Sequence, residues 1–463
     1  MERTEGVDIL TGDPKSAILK LSIPVMLAML LSSSYNVVNA IWVAGLGSDE
    51  LAAIGFITPI FMILIGLGSG ISAGASSSIS RWIGKSDHSN ASNAAIHTLI
   101  ITLIISVLVT IPLVIFAEPI SSLFGAGSLS GIAASYGTIL FGGAIFIIFS
   151  NSGYGIFRAE GDSKRTMYAM ATGAVLNMIL DPVLIYGMNL GVAGAAWGTV
   201  ISCAIVSLIM CYWFFVKKNT YVQISKNMFT PSRDITQDIL IVGLPASVEF
   251  LALSILNIIL NFMLVILAGS DAVAVISVGF RVSSYGIVPI IALGSVVVSV
   301  TGAAYGARLY KKNREILLFS LLFGLGISIL VGIVTRIFAY PIASIFSYSA
   351  SSATLYPTIA AFLGVMCLFY PIATVGILSA SVYQGVGKGP TSLILTIIRS
   401  LVLVAIFAYV FAFALNMGET GVWWGLIVGE GIGSLFAFSC LWRYISHLLS
   451  CSNRADESLL GIR

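Results

Sequence analysis

Asn177 and Asp181 stand four residues apart in the apolar run NMILDPVLIYG, which puts both side chains on one helix face. Asp181 is the one carboxylate within the apolar segments of the first half of the chain. An ionised side chain at the centre of a bilayer costs about 2.5–3.5 kcal/mol on insertion scales, so such a residue is a functional candidate by default. Thr199 lies in the next apolar segment. Earlier in the chain, YNVVNAIWVAGLG sets Tyr35, Asn36 and Asn39 within about one turn, with Tyr35 and Asn39 at i,i+4. Asn151 and Tyr154 form an i,i+3 pair, and Tyr136 precedes them in the same segment. Oxygen donors around one formal negative charge suit a small, hard monovalent cation. A lone buried carboxylate can equally carry a proton. Hydrogen bonding between membrane helices is the plainer use of any single Asn or Thr here.

These residues sit in a chain of 463 residues that is 58% hydrophobic and 9% charged. Soluble domains carry roughly 25% charged residues, so the composition describes a polytopic membrane protein. Twelve runs are long and apolar enough to span, at about 21–45, 51–80, 91–117, 131–157, 166–188, 191–216, 235–267, 272–305, 315–340, 352–385, 390–416 and 420–442. They are continuous rather than alternating, which predicts an all-α fold and not a barrel. Proline inside the spans (Pro24, Pro59, Pro182, Pro245, Pro289, Pro371) removes a helix bond and invites kinks. Lys and Arg gather at the N-terminus, in the even-numbered connections and after the last span; the odd connections (GSDE, AEPISSLFGAGS, GMNL, AGSD, SYSASSA, NMGET) have none. The positive-inside rule then predicts a multi-pass protein of the cell membrane with both termini cytoplasmic. The start, MERTEGVDILTGDPKSA, is polar and of mixed charge, so the first apolar run is expected to be a true span rather than a signal peptide. The five cysteines form no CxxC pair or disulfide framework.

The two halves repeat. ILKLSIP (18–24) returns as ILIVGLP (239–245), GSDELAAIGF (47–56) as GSDAVAVISVGF (269–280), and EGDSK after the fourth span is echoed by VGKGP after the tenth. This gives an N-terminal six-helix lobe over 1–216, a basic cytoplasmic linker over 217–234, and a C-terminal six-helix lobe with a short tail over 235–463. Six spans per half is an even number, so the lobes enter the membrane in the same sense and are expected to be related by a pseudo-two-fold axis along the membrane normal. A two-lobed body able to rock about a central site favours a transporter over a channel or receptor.

The motifs LSIPVML, YNVVNAIWVAGLGSDELAAIG, GIFRAEGD, NMILDPVLIYGMNLGVAGAAWGTVIS, TGAAYGA and YQGVGKG are spread along both halves of the chain. In them the chain resembles the multidrug and toxic compound extrusion (MATE) family, in its DinF-like prokaryotic branch with the archaeal members. The resemblance implies secondary active efflux: amphipathic, often cationic organic compounds antiported against H⁺ or Na⁺ by alternating access of two lobes set in a V. It implies a first-lobe cation site at the positions of Asn39, Asn177, Asp181 and Thr199, with Na⁺ as one candidate occupant. It also implies a substrate cavity beside Tyr35, Tyr136, Asn151 and Tyr154, and a bend at Pro24 linked to coupling. Position 39 departs from the family, which usually has aspartate in YNxxD, and position 154 is Tyr where near relatives have Asn. Asn39 offers an oxygen but cannot take up a proton, so in a proton-driven site Asp181 carries the load largely alone.

Further polar residues fall in the second half: Glu249, Arg281, Arg399 and Glu430. Two acids and two bases can neutralise one another inside a lobe. Alternatively Glu249, one turn beyond Pro245, or Glu430 faces the cavity. Met26, Met29, Met62, Phe56, Phe61 and Tyr285 are candidates for an adaptable substrate wall with Asn36, though such residues more often face lipid or pack. His88 and His97, near the cytoplasmic end of the third span, have no membrane-embedded acid near them in sequence. The chain shows no Walker A sequence, no metal-ligand cluster and no nucleophile–base pair, so no enzymatic activity, ATP use or cofactor beyond the coupling ion is expected. The expected partners are small amphipathic substrates and the lipid bilayer, with no nucleic acid, and the chain is expected to act as a monomer. The alternatives are a lipid-linked oligosaccharide flippase of the same superfamily, which would want several arginines in a large cavity, and a sensor, which would carry a soluble signalling domain.

Overall fold

The computed structural model describes residues 4–346 and 353–459. Arg3, Arg463 and residues 347–352 of the connection SYSASSA lie outside the described residues. The described chain is helical throughout its apolar runs. Among the described residues ten unbroken helices are long and apolar enough to cross a membrane: Pro14–Ala44, Ser48–Gly84, His88–Ile115, Ser163–Gly187, Gly191–Lys217, Arg233–Gly269, Asp271–Gly306, Tyr310–Ile337, Gly389–Ala414 and Glu419–Cys451. The fourth and tenth spans are instead bent pairs, Gly127–Gly142 with Ala144–Ala159 at 46° and Tyr356–Met366 with Phe369–Gly385 at 44°. Both bends have a local cause. At Gly143 the backbone passes so close to the sixth span that an added Cβ would come 2.6 Å from Val200 Cγ1. At the tenth span, Pro371 cannot bond the carbonyl four residues earlier and its ring crowds it. That carbonyl belongs to Cys367, the break itself, and it faces Gly332 of the ninth span.

Helix starts on the side that the charge pattern marks as cytoplasmic share a device. Asp13, Asp87 and Asp162 cap the first, third and fifth spans by accepting from the N–H groups of Ser16, Asn90 and Arg165, at 2.9, 3.0 and 3.0 Å. A carboxylate there satisfies an orphan donor and opposes the positive end of the helix dipole. The internal repeat reaches the backbone. Left-handed residues recur at matching turns: Ser86 and Arg308, Gly161 and Gly387, Asn189 and Asn416, Gly191 and Gly418.

Contacts divide the chain into two compact units at Phe250 and Leu251. In the first unit, small residues do the packing, as expected where lipid offers helices no hydrophobic reason to associate. Ser76 Oγ donates to the Gly155 carbonyl at 2.9 Å and Thr102 Oγ1 to Ser152 Oγ at 2.8 Å. A Cβ at Gly155 would sit 2.5 Å from the Ser72 carbonyl oxygen. An apolar core around Ile57, Leu64, Leu140, Phe141 and Ile148 completes this unit. The core of the second gathers Leu260, Leu264, Phe362, Met366 and Trp423.

The residues from 217 to Phe250 also belong to the first unit, so the division falls inside the seventh span rather than before it. Arg81 pairs with Asp238 at 2.9 Å, and Ser78 Oγ donates to the same carboxylate at 3.0 Å. His88 and His97 hold the linker: His88 Nε2 lies 2.8 Å from the Tyr221 carbonyl, and the Ser232 N–H donates to His97 Nε2 at 3.1 Å. Asn93 adds a bond to the Thr230 carbonyl at 2.9 Å and receives the Thr230 N–H at 3.2 Å.

Candidate functional site

Asp181 is fully buried in the first unit, and Asn177 and Thr199 are buried beside it. With the Asn177 amide turned to satisfy both its ends, its nitrogen donates to both Asp181 carboxylate oxygens, at 2.8 and 3.2 Å. Its oxygen accepts from the Thr199 N–H at 3.2 Å. Thr199 Oγ1 donates to the Ala195 carbonyl one turn earlier, at 3.3 Å. After Pro182 the fifth span continues as a π-helical turn, Val183–Gly187. Such turns are frequent at functional sites. Among the described residues no ion pair includes Asp181.

The sixth span reaches the carboxylate only because position 198 is glycine: a Cβ there would overlap Asp181 Oδ1. Sequence reasoning missed Gly198. Its one visible signal is that it precedes Thr199 on the span expected to face Asp181.

Tyr35 and Tyr136, two of the expected cavity residues, lie within electrostatic range of Asp181, and Tyr154 lies within range of Tyr35 and Arg158. Cys203, not anticipated, sits among them. Asn151 is half-buried; its amide donates to the Ile147 carbonyl at 2.9 Å, and Gly68 makes room for its Cβ. Pro24 lies within one uninterrupted helix, and Met26 on the same helix is buried.

Other expected members lie apart. Asn39 is half-buried and stands outside the hydrogen-bonded cluster of Asn177, Asp181 and Thr199. Asn36 is exposed and spends its amide on the Ser32 carbonyl at 3.2 Å, and Met62 is exposed. With its amide so turned, Asn177 presents its nitrogen to the carboxylate. Glu249 is half-buried and falls in the first unit, whereas Arg281 is exposed in the second. Of the four second-half charges, Arg399 and Glu430 pair directly, both nearly buried.

Glu160 was not anticipated either. It follows the fourth span, is 1% exposed, and accepts the Val222 N–H of the linker at 3.1 Å. Burial pushes its carboxyl from the usual 4.5 up to about 8, and the neighbouring Asp162 charge adds to this; the Val222 N–H and Arg165 oppose it. A carboxyl with a raised pKa favours the docked form below its free value and loses that contribution as pH rises through the docked value. The protection factor of the Val222 amide, measured by hydrogen exchange, is therefore expected to fall between about pH 4.5 and 8. Glu160→Gln should flatten that profile.

The MatE family profile matches residues 24–183 and 245–410. The multidrug export protein MepA of Staphylococcus aureus is 27% identical over 426 residues, 91% of this chain and 92% of that protein. An outward-facing multidrug resistance MATE family transporter of the MOP superfamily is 40% identical, with a TM-score of 0.95, covering 97% of this chain and 100% of its own. A MOP superfamily transporter from Pyrococcus furiosus, whose binding pocket has a reverse polarity taken to suggest a different function, is also 40% identical. Its TM-score is 0.94, over 97% of this chain and 99% of its own.

Proposed function

The chain belongs to the MATE family of membrane transporters, and from that premise we propose that it exports amphipathic organic cations in exchange for protons, with Asp181 as the shared binding group. It is a multi-pass transporter and not an enzyme. The observation that carries the proton reading is the setting of Asp181: buried, held by one neutral amide, and in no ion pair among the described residues.

An unpaired ionised carboxylate in such a setting is costly, and the cost is relieved by a proton or by a cationic ligand. The two satisfy the same charge, so each displaces the other. Asn177 stabilises whichever form is present by keeping the carboxylate oriented, and Thr199 fixes Asn177 through its N–H. Tyr35, Tyr136 and Tyr154 supply aromatic faces, each able to contribute about 0.5–2 kcal/mol toward a desolvated cation. Export against a gradient follows when the carboxylate is protonated from outside and releases its organic cation there. The inner face reverses the exchange. The basic residues of the even connections support cytoplasmic placement of that inner face.

We take Na⁺ as the less favoured ion, because Asn177, with its amide so turned, offers Asp181 a donor rather than a further oxygen. A lipid-linked oligosaccharide would need several arginines in one cavity for its pyrophosphate. The buried arginines among the described residues are Arg158 in the first unit and Arg399 in the second. The test is uptake or efflux of tetraphenylphosphonium in proteoliposomes under an imposed pH gradient and, separately, an imposed Na⁺ gradient. The pH gradient alone should drive transport. Transport that follows the Na⁺ gradient with the pH gradient collapsed would sink the reading.

A further inference from the structure

The second unit holds a cavity of about 290 Å³ that the first-lobe reading does not use. Its walls are mostly apolar, with Phe280 and Phe369 among them, and Arg399, Ser400, Glu430 and Ser283 also line it. Arg399 and Glu430 are 6% and 3% exposed and form a direct ion pair through Arg399 Nη1 and Glu430 Oε1. Ser400 Oγ donates to the other Glu430 oxygen at 3.2 Å. Ser283 is 4% exposed, and its Oγ has no hydrogen-bond partner among the described residues.

The chain goes to some length to seat this arginine. A Cβ at Gly433 would lie 2.5 Å from Arg399 Cα, and Gly376 similarly clears its guanidinium. Arg399 itself sits in a π-helical turn, Ile398–Leu403. A buried ion pair rarely stabilises more than an apolar pair of the same volume. Two glycines and an irregular turn are a large outlay for a contact that stability does not require.

The unspent hydrogen bonding at the pair is on the donor side. Both Glu430 oxygens are occupied, one by Arg399 and one by Ser400. Arg399 commits only Nη1 to a hydrogen bond among the described residues, leaving Nε and Nη2 available. A guanidinium with spare donors beside a buried hydroxyl and an apolar wall suits a carboxylate on a small apolar body, which it can bind in the two-pronged manner of Arg–carboxylate pairs.

We propose that this cavity is a second ligand site, within the second lobe, for small amphipathic carboxylates, with the remaining Arg399 donors as the anion-binding group and Glu430 as the internal carboxylate whose charge opposes an incoming one. Glu430 occupies Arg399 while the site is empty, so the buried charge never lacks a partner. It also competes with the ligand, so removing its charge strengthens binding. The site differs in lobe and in preferred charge from the one at Asp181, and it does not depend on proton exchange.

The test is equilibrium binding of radiolabelled phenylbutyrate, and of phenylbutylamine as its cationic isostere, to the full-length protein in nanodiscs without gradients. Saturable phenylbutyrate binding is expected, tightening about tenfold or more in Glu430→Gln, since one fewer like charge adjoins the bound anion. Glu430→Gln retains the shape and the Ser400 contact. The double variant Arg399→Gln/Glu430→Gln leaves no uncompensated charge and should fold, yet lose the binding. Asp181→Asn should bind phenylbutyrate as the wild type does, which separates this site from the first. Equal affinity in wild type and Glu430→Gln, binding that survives the double variant, preference for phenylbutylamine, or no saturable binding in Glu430→Gln would each overturn the proposal.

Discussion

Asp181→Asn is expected to reduce gradient-driven export of an organic cation by about a hundredfold or more, with thermal unfolding unchanged or shifted upward. The substitution preserves shape and leaves an oxygen to accept from Asn177, so the packing of the fifth span against the sixth survives. What disappears is the charge. Close, desolvated charge pairs are worth about 1.5–7 kcal/mol in coupling, and a hundredfold corresponds to about 2.8 kcal/mol, within that range. Removing an unpaired buried carboxylate also removes its desolvation cost, so stability should not fall. Efflux from proteoliposomes and a thermal melt of the same preparation read both arms. Export at the wild-type rate would take Asp181 out of the mechanism.

Gly198→Ala should do nearly as much damage through shape alone. The added methyl group would overlap Asp181 Oδ1, so either the carboxylate turns away from Asn177 or the sixth span backs off. Overpacking of this kind costs about 1–3 kcal/mol. Misplacing the carboxylate by a fraction of an ångström should lower export at least about tenfold, since productive geometry is narrow. The control is Gly326→Ala on the ninth span, where an added Cβ meets nothing within 4 Å. There the gain in helix propensity, about 0.8–1.0 kcal/mol relative to glycine, acts without a clash. Gly326→Ala should therefore leave export intact and hold or raise the melting temperature. If both substitutions behave alike, the close approach at Gly198 is not what positions Asp181.

The two cases mark how far the sequence can be read. Asp181 and Asn177 share a helix, and a spacing of four residues is visible in one dimension. Gly198 acts across two helices, so its purpose depends on which atom of the fifth span it faces, and that is set by packing. The same division holds for the fold. Twelve apolar runs and their repeat are properties of hydropathy and are legible. The bends in the fourth and tenth spans are not, because a run stays apolar whether straight or broken. Pro371 hinted at the second bend, while Gly143 becomes intelligible only beside Val200.

Polar residues divide likewise. The pairing of Arg399 with Glu430, 31 positions apart, is one of two readings that the four charges allow. Asn39 drew attention by departing from a family pattern, yet it stands outside the hydrogen bonds at Asp181. Glu160 escapes a sequence reading because a charged loop ordinarily reads as solvated. Here the loop folds back on Glu160, Asn93 and the two histidines, and burial follows from contacts far apart in sequence.

The central claim is that a proton and an organic cation compete for Asp181. Proton release on ligand binding tests it most directly. Purified protein in a weakly buffered solution near neutral pH is titrated with tetraphenylphosphonium while a pH indicator is followed. Competition predicts that binding expels up to about one proton per cation bound, and that Asp181→Asn expels none. Saturable binding with no proton released across pH 5 to 8, or release undiminished in Asp181→Asn, would contradict it.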